Sequence, residues 1–256
     1  VTTIMKRLAS IVFLLAMLGC DDSATTVGIA DDPDLRKFTN KQITADELRR
    51  LSSEREKVTS LQINYCPLDA DVLATIEKLT ELKSLNLAYT DLTDDHLSRF
   101  KQLTKLESVW FPFTKISDEG LPLICQFPKI STIGLDSTEI SDEGLKFLGS
   151  QNQVKRLFVG SNHITDTGVA HLSGLNKLRD LRINHNDRLT NLSITAIADL
   201  TELRFLQIDN TSMDERCVED LLKMKNLRFI HTGNLGFSES AMKRIRTGLP
   251  RFGSFD

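Results

Sequence analysis

The chain has 256 residues, 40% of them hydrophobic and 26% charged, with a formal net charge of −3. A charge so near balance excludes the strongly basic field that selects nucleic acid or an anionic membrane surface, and no nucleic-acid partner is expected. The first element is an address. Met5-Lys6-Arg7 is a short basic region, Leu8 to Leu18 an apolar run, and Leu18-Gly19-Cys20 ends it. The run is shorter than the roughly 20 apolar residues that span a bilayer comfortably. It has the shape of a secretory signal, over residues 1–19.

Met17-Leu18-Gly19-Cys20 resembles a bacterial lipobox. The resemblance implies that Cys20 is acylated, becomes the new N-terminus and anchors the protein to a membrane through its lipid. The location implied is the bacterial cell envelope, on the periplasmic or cell-surface side. An ordinary signal peptide with an incidental cysteine is the alternative. Residues 20–34, polar, acidic and rich in small side chains, read as a flexible tether.

Residues 35–57 form a degenerate unit, with Thr44 and Glu47 spaced as a capping box and Arg49, Arg50, Glu54 and Arg55 facing outward. A polar end unit is what a stacked array needs to stop growing, so this is the expected N-terminal cap. From 58 to 250 the chain repeats. Units begin at Val58, Leu82, Leu106, Ile130, Val154, Leu178, Leu203 and Leu227, seven of 24 residues and one of 25. The extra residue falls in the turn near Asp187-Arg188. In each unit the first, fourth and sixth positions are apolar, as in Leu82, Leu85 and Leu87. This alternation predicts a short strand with one buried face.

A segment such as Ser141-Asp142-Glu143-Gly144-Leu145 follows, predicting a helix capped by Ser or Thr with Asp at the positive end of its dipole. Gly248, Arg244, Arg246 and Arg251 mark the last unit as a C-terminal cap, before a tail at 251–256. Cys66, Cys125 and Cys217 fall on interior positions of non-adjacent units, too far apart to pair, and are expected to be buried thiols.

The LxxLxLxxT opening of each block from Leu82 to Lys177 resembles the leucine-rich repeat family, in its 24-residue cysteine-containing or ribonuclease-inhibitor-like class. The fold implied is α/β: a right-handed solenoid with a parallel sheet on the concave side and helices on the convex side. The family is a scaffold, and its partners differ from protein to protein.

No nucleophile elbow, H-E-x-x-H, paired C-x-x-C or phosphate-cradling glycine loop is present in the sequence. No catalysis and no cofactor are therefore expected. Asp94, Asp118, Asp142 and Asp166 recur with the repeat; helix N-terminal charge is preferred over calcium as their reading. His96, His163 and His171 are placed on the surface. His185, Asp209 and His231 lie on the concave side of three successive units. With strands about 4.8 Å apart, the two histidines are roughly 10 Å apart, too wide to share a metal ion directly.

The third, fifth, seventh and eighth positions are expected to point out of the concave face. The early units then offer Tyr65, Tyr89, Trp110, Phe113 and Phe158, and the later ones Arg182, His185, Gln207, Asp209 and His231. Lys155, Arg179, Arg204 and Arg228 add a basic rim at the second position. Aromatic side chains with polar handles are typical binding anchors. The eighth-position rings could instead fold over the strand edge and close the core. A protein partner bound across the concave face is the main reading, with Trp110 and Phe158 as anchors. A glycan or cell-wall ligand is the alternative, and a spacer without ligand remains open.

Overall fold

A computed structural model of the protein describes residues 58–65 and 67–253. The signal region, Cys20, the tether and the degenerate cap lie outside them, as do Cys66 and the last three residues. Among the described residues, eight three-residue strands form one parallel sheet in chain order: β1 (Ser60–Gln62), β2 (Ser84–Asn86), β3 (Ser108–Trp110), β4 (Thr132–Gly134), β5 (Arg156–Phe158), β6 (Asp180–Arg182), β7 (Phe205–Gln207) and β8 (Phe229–His231). Register advances by one unit per strand. Asp180 pairs with Arg156 on one side and with Phe205 on the other, so the 25-residue step is absorbed without a shift. The extra residue goes into the loop after β6.

The predicted inward positions are the core. Leu82, Leu85 and Leu87, Leu106, Val109 and Phe111, and their equivalents through Ile208 are buried, most of them completely. Each such side chain contributes roughly 1.5–3 kcal/mol by leaving water. No unit could bury its own set, since it is covered only by stacking against the neighbouring turns. The register lapses only in the last unit, where Ile230 and Thr232 are half-buried. There the chain turns back: the Gly253 N–H donates to the Arg228 carbonyl at 2.7 Å, closing part of the free strand edge.

In six units the side chain at the ninth position ties the turn to the stack. Thr90, Thr114, Thr138 and Thr211 donate to the carbonyl three residues back. Asn162 and Asn186 take the same place and do more. The Asn162 carbonyl oxygen accepts from the Thr138 N–H, and its amide donates to the Leu135 carbonyl. These bonds join adjacent units through buried polar groups with few other partners.

The recurring aspartates stand in the first helical turn, as expected, and do more. Each reaches into the next unit and accepts from both the backbone N–H and the hydroxyl of the following cap: Asp94 from Ser117, Asp118 from Ser141, Asp142 from Thr165, Asp166 from Thr190. The carboxylates are inter-unit braces first and dipole charges second. The helix glycines follow from this. A Cβ on Gly120, Gly144 or Gly168 would collide with the carboxylate of Asp94, Asp118 or Asp142. One unit later, Ser193 replaces glycine and donates its hydroxyl to Asp166.

The histidines of the helical side have ordinary roles. His96 Nδ1 accepts from the Thr93 N–H and completes a capping box, while His163 and His171 are exposed. Cys217 is buried, as expected, but Cys125 is only half-buried, because it ends the short helix Leu121–Cys125 beside an exposed Gln126. Burial pushes the two thiols up to about 11 for Cys125 and about 12 for Cys217, the latter with help from Asp214, so neither is a ready thiolate.

Candidate functional site

The open face of the sheet is built from the third and fifth positions, flanked by a turn that begins at the seventh. Seven eighth-position residues, Tyr65, Tyr89, Phe113, Ser137, Ser161, His185 and Asn210, have left-handed backbones with φ near +55°. Such a conformation is costly for a residue with a Cβ. It is stabilised here because the N–H turns toward the next unit: Tyr89 donates to the Pro112 carbonyl at 3.0 Å, Phe113 to Asp136 at 3.0 Å and His185 to Asp209 at 2.9 Å. The same turn tucks the seventh position under, so Asp136, Asn184 and Asp209 are buried rather than directed outward.

The aromatic residues form two stacks. Along the edge, Tyr89 lies between Tyr65 and Phe113, with centroids 4.5 and 4.3 Å apart and planes within 14° and 9°. Burial, and then the neighbouring Tyr65, push the Tyr89 phenol up to about 12. On the sheet itself, Trp110 stacks on Phe158 at 5.0 Å, although β4 runs between their strands. Gly134 makes that possible. A Cβ there would lie 2.5 Å from the indole Cε3, so its absence lets the ring lie flat across the gap. Arg182 continues the stack, its guanidinium carbon 4.7 Å from the Phe158 ring centre and 5.4 Å from that of Phe205.

Two expectations are corrected. Phe158 retains only 4% exposure, covered by Trp110 and Arg182, and is a base for the indole rather than an exposed anchor. Asp209, at 5%, is likewise beneath the surface. It organises what lies above. Its carboxylate binds His231 Nδ1 at 2.8 Å, the Gln207 amide at 2.9 Å and the Asn210 amide at 2.9 Å, with His185 Nδ1 at 3.7 Å. Although burial opposes ionisation, these donors hold its pKa below the usual carboxylate value. The histidines start from strands or turns two units apart but converge through this one residue, and both rings are exposed. Among the described residues no group of three or more His, Cys, Asp or Glu is arranged to hold a metal ion.

Asp136 was not anticipated. Burial pushes its carboxyl up to about 6, against the pull of Arg182 and the Gly160 N–H, which it accepts at 3.0 Å. A raised carboxyl binds its proton more tightly in the folded than in the unfolded chain. Its stabilising effect is therefore full below the ordinary value near 4 and is lost as pH rises through about 6. Asp136→Asn keeps an oxygen for Gly160 without a charge. It is expected to stabilise the protein at pH 7 by roughly 2 kcal/mol and to leave it nearly unchanged at pH 4, read from urea midpoints. Equal midpoints at both pH values would refute the buried charge. Arg156, Asp180 and Phe205 were also missed; listing the third position by columns reveals them.

A model for the leucine rich repeat matches residues 152–213. Strand, turn and helix recur at that period through all eight strands. The fold is a leucine-rich repeat solenoid. Among curated proteins no relative matches the chain. An internalin (inlF) from Listeria monocytogenes is similar in structure, with a TM-score of 0.58 and 24% identity over 70% of this chain and 49% of that one. Internalin C2 (inlC2) of the same organism has a TM-score of 0.57 and 19% identity, over 76% of this chain and 78% of that one. The chain thus spans about half the length of the first. At these identities the likeness is one of fold, and the leucine-rich repeat frame explains why the polar and aromatic groups above gather on one face.

Proposed function

We propose that this leucine-rich repeat protein is a non-catalytic scaffold that binds a protein partner across the open face of its sheet, and that a lipid on Cys20 holds it at the bacterial cell envelope. The observation that carries the binding reading is the half-exposed indole of Trp110. It is held flat over Gly134 against Phe158, with Arg182 and Phe205 extending the same surface. The sheet does not need this arrangement to bury its core, which lies on its other side. The anchoring reading is supported by Met17-Leu18-Gly19-Cys20 and by the acidic, small-residue stretch that follows.

Protein is favoured over glycan by ring geometry. A sugar stacks on an open aromatic face, whereas Tyr89 is sandwiched by Tyr65 and Phe113, and Phe158 by Trp110 and Arg182. The middle of each stack presents edges.

The test is affinity capture from envelope extract with wild type and Trp110→Ala, each partner then titrated in purified form. Trp110→Ala is expected to weaken the partner at least 30-fold, about 2 kcal/mol. Its stability should fall by only about 1 kcal/mol, the value of the lost ring contact. A partner held with unchanged affinity would rule out this face.

A further inference from the structure

The chain carries a net charge of −3, but its open face is divided. On β1 to β4 the second, third and fifth positions hold one lysine, Lys83, against one glutamate, Glu107. On β5 to β8 the same positions hold Lys155, Arg156, Arg179, Arg182, Arg204 and Arg228 against Asp180 alone. Asp180 sits within reach of four guanidinium groups, those of Arg156, Arg182, Arg204 and Arg179, and buried Asp136 attracts Arg182 as well, so two carboxylates face a larger number of cations. The Nε groups of Arg182 and Arg228 are buried and have no hydrogen-bond acceptor. A buried charged donor without an acceptor is costly unless a ligand supplies one.

We propose that the β5–β8 half of the face receives an acidic segment of the protein partner, its carboxylates paired by Arg156, Arg179, Arg182, Arg204 and Arg228. This rests on the reading of the open face as a protein-binding surface and adds the chemistry of what is bound. Arginine suits the task because its planar fork meets a carboxylate through two parallel hydrogen bonds. Arg182 is already placed, its guanidinium carbon held over the rings of Phe158 and Phe205. Asp180 argues against a uniform polyanion. Within the basic field it repels one phosphate of any regular backbone, whereas a peptide can set a neutral or basic residue opposite it.

The experiment uses the full chain and a fluorescein-labelled decaglutamate peptide, followed by anisotropy and by the emission of Trp110, the only tryptophan of the chain. Saturable binding is expected, weakening as salt rises, with decaglutamine inert. Arg179→Glu with Arg204→Glu should weaken it at least tenfold, and Lys101→Glu, on an exposed turn of the helical side, should not. If the double reversal disturbs the circular dichroism, Arg179→Gln with Arg204→Gln is read instead, with the same loss expected. With these probes, the inference is overturned by no saturable binding, or by oligothymidylate binding as tightly as the peptide through the same arginines. A natural partner lost on Trp110→Ala but kept by the arginine variants would also overturn it while leaving the open-face reading intact.

Discussion

Phe111→Ala is expected to cost about 3–5 kcal/mol of stability. Phe111 is fully buried at the sixth position, the only aromatic in a column otherwise made of Ile63, Leu87, Leu135, Val159, Ile183, Ile208 and Thr232. Leu87 and Leu135, its neighbours in the column, cannot fill the space it vacates, because the backbone of each is held to the following unit, Leu87 N–H to the Trp110 carbonyl and Leu135 N–H to that of Phe158. A cavity therefore remains. In a linear stack, each unit contacts only its neighbours, so the damage falls on both interfaces of one unit. The urea midpoint should drop sharply, and the transition should broaden or divide as the two sides uncouple. A loss below about 1 kcal/mol would show that the core relaxes around the site, and that the units are less rigidly packed than their burial implies.

Asp142→Ala is the second large effect, at roughly 2 kcal/mol. It removes an acceptor from the Thr165 N–H at 2.8 Å and from the Thr165 hydroxyl at 2.6 Å. Hydrogen bonds to a charged group are worth about 1.5–3 kcal/mol, and the N–H would lose its partner. Asp142→Asn separates this account from one based on the helix dipole. It keeps an oxygen for the Thr165 N–H and should cost well under 1 kcal/mol, whereas a dipole effect would be lost equally in both variants. The protein contains the precedent. Asn191 holds the equivalent place, its oxygen accepting from the Asp214 N–H at 3.0 Å and its amide donating to the Asp214 carboxylate at 2.8 Å. Where the brace loses its charge, the following cap gains one.

Gly168→Ala should destabilise by about 1–3 kcal/mol, since the new methyl meets the same Asp142 carboxylate. In Asp142→Ala the added cost should largely vanish. Additive losses would mean that the glycine serves its own helix and not the brace.

This brace was nearly legible. Gly120, Gly144 and Gly168 each follow a unit with Asp at the first helical position, and, apart from Ser193 after Asp166, the two positions change together. His96 stands where the preceding unit has Ala70, and Cys217 where it has Asn191. Comparing each position with its counterpart one unit earlier exposes the dependence. Reading units singly conceals it and leaves only the dipole.

The open face was less legible. That Trp110 and Phe158 share a face follows from the period-two alternation, but not that they touch across an intervening strand. Nor does alternation show that Phe158 lies beneath. Both depend on the missing side chain at Gly134, which acts through space on residues 24 positions to either side. The seventh column was misplaced for a related reason. Alternation ends with the strand, and the left-handed turn at the eighth position redirects what precedes it. Asp209 accordingly became a support beneath His231, Gln207 and Asn210.

Period, register, the Ser and Thr caps of the helices and the core thus belong to the sequence by itself, because each rests on spacing within a unit that any neighbour must satisfy in the same way. Contacts between non-equivalent side chains of different units were decided only when the units stacked at strand spacing. The indole over Gly134, the two histidines converging on one carboxylate and the arginines gathered around Asp180 are of that kind. Their geometry is set by neighbours that lie close in space and a full turn of the solenoid apart in the chain.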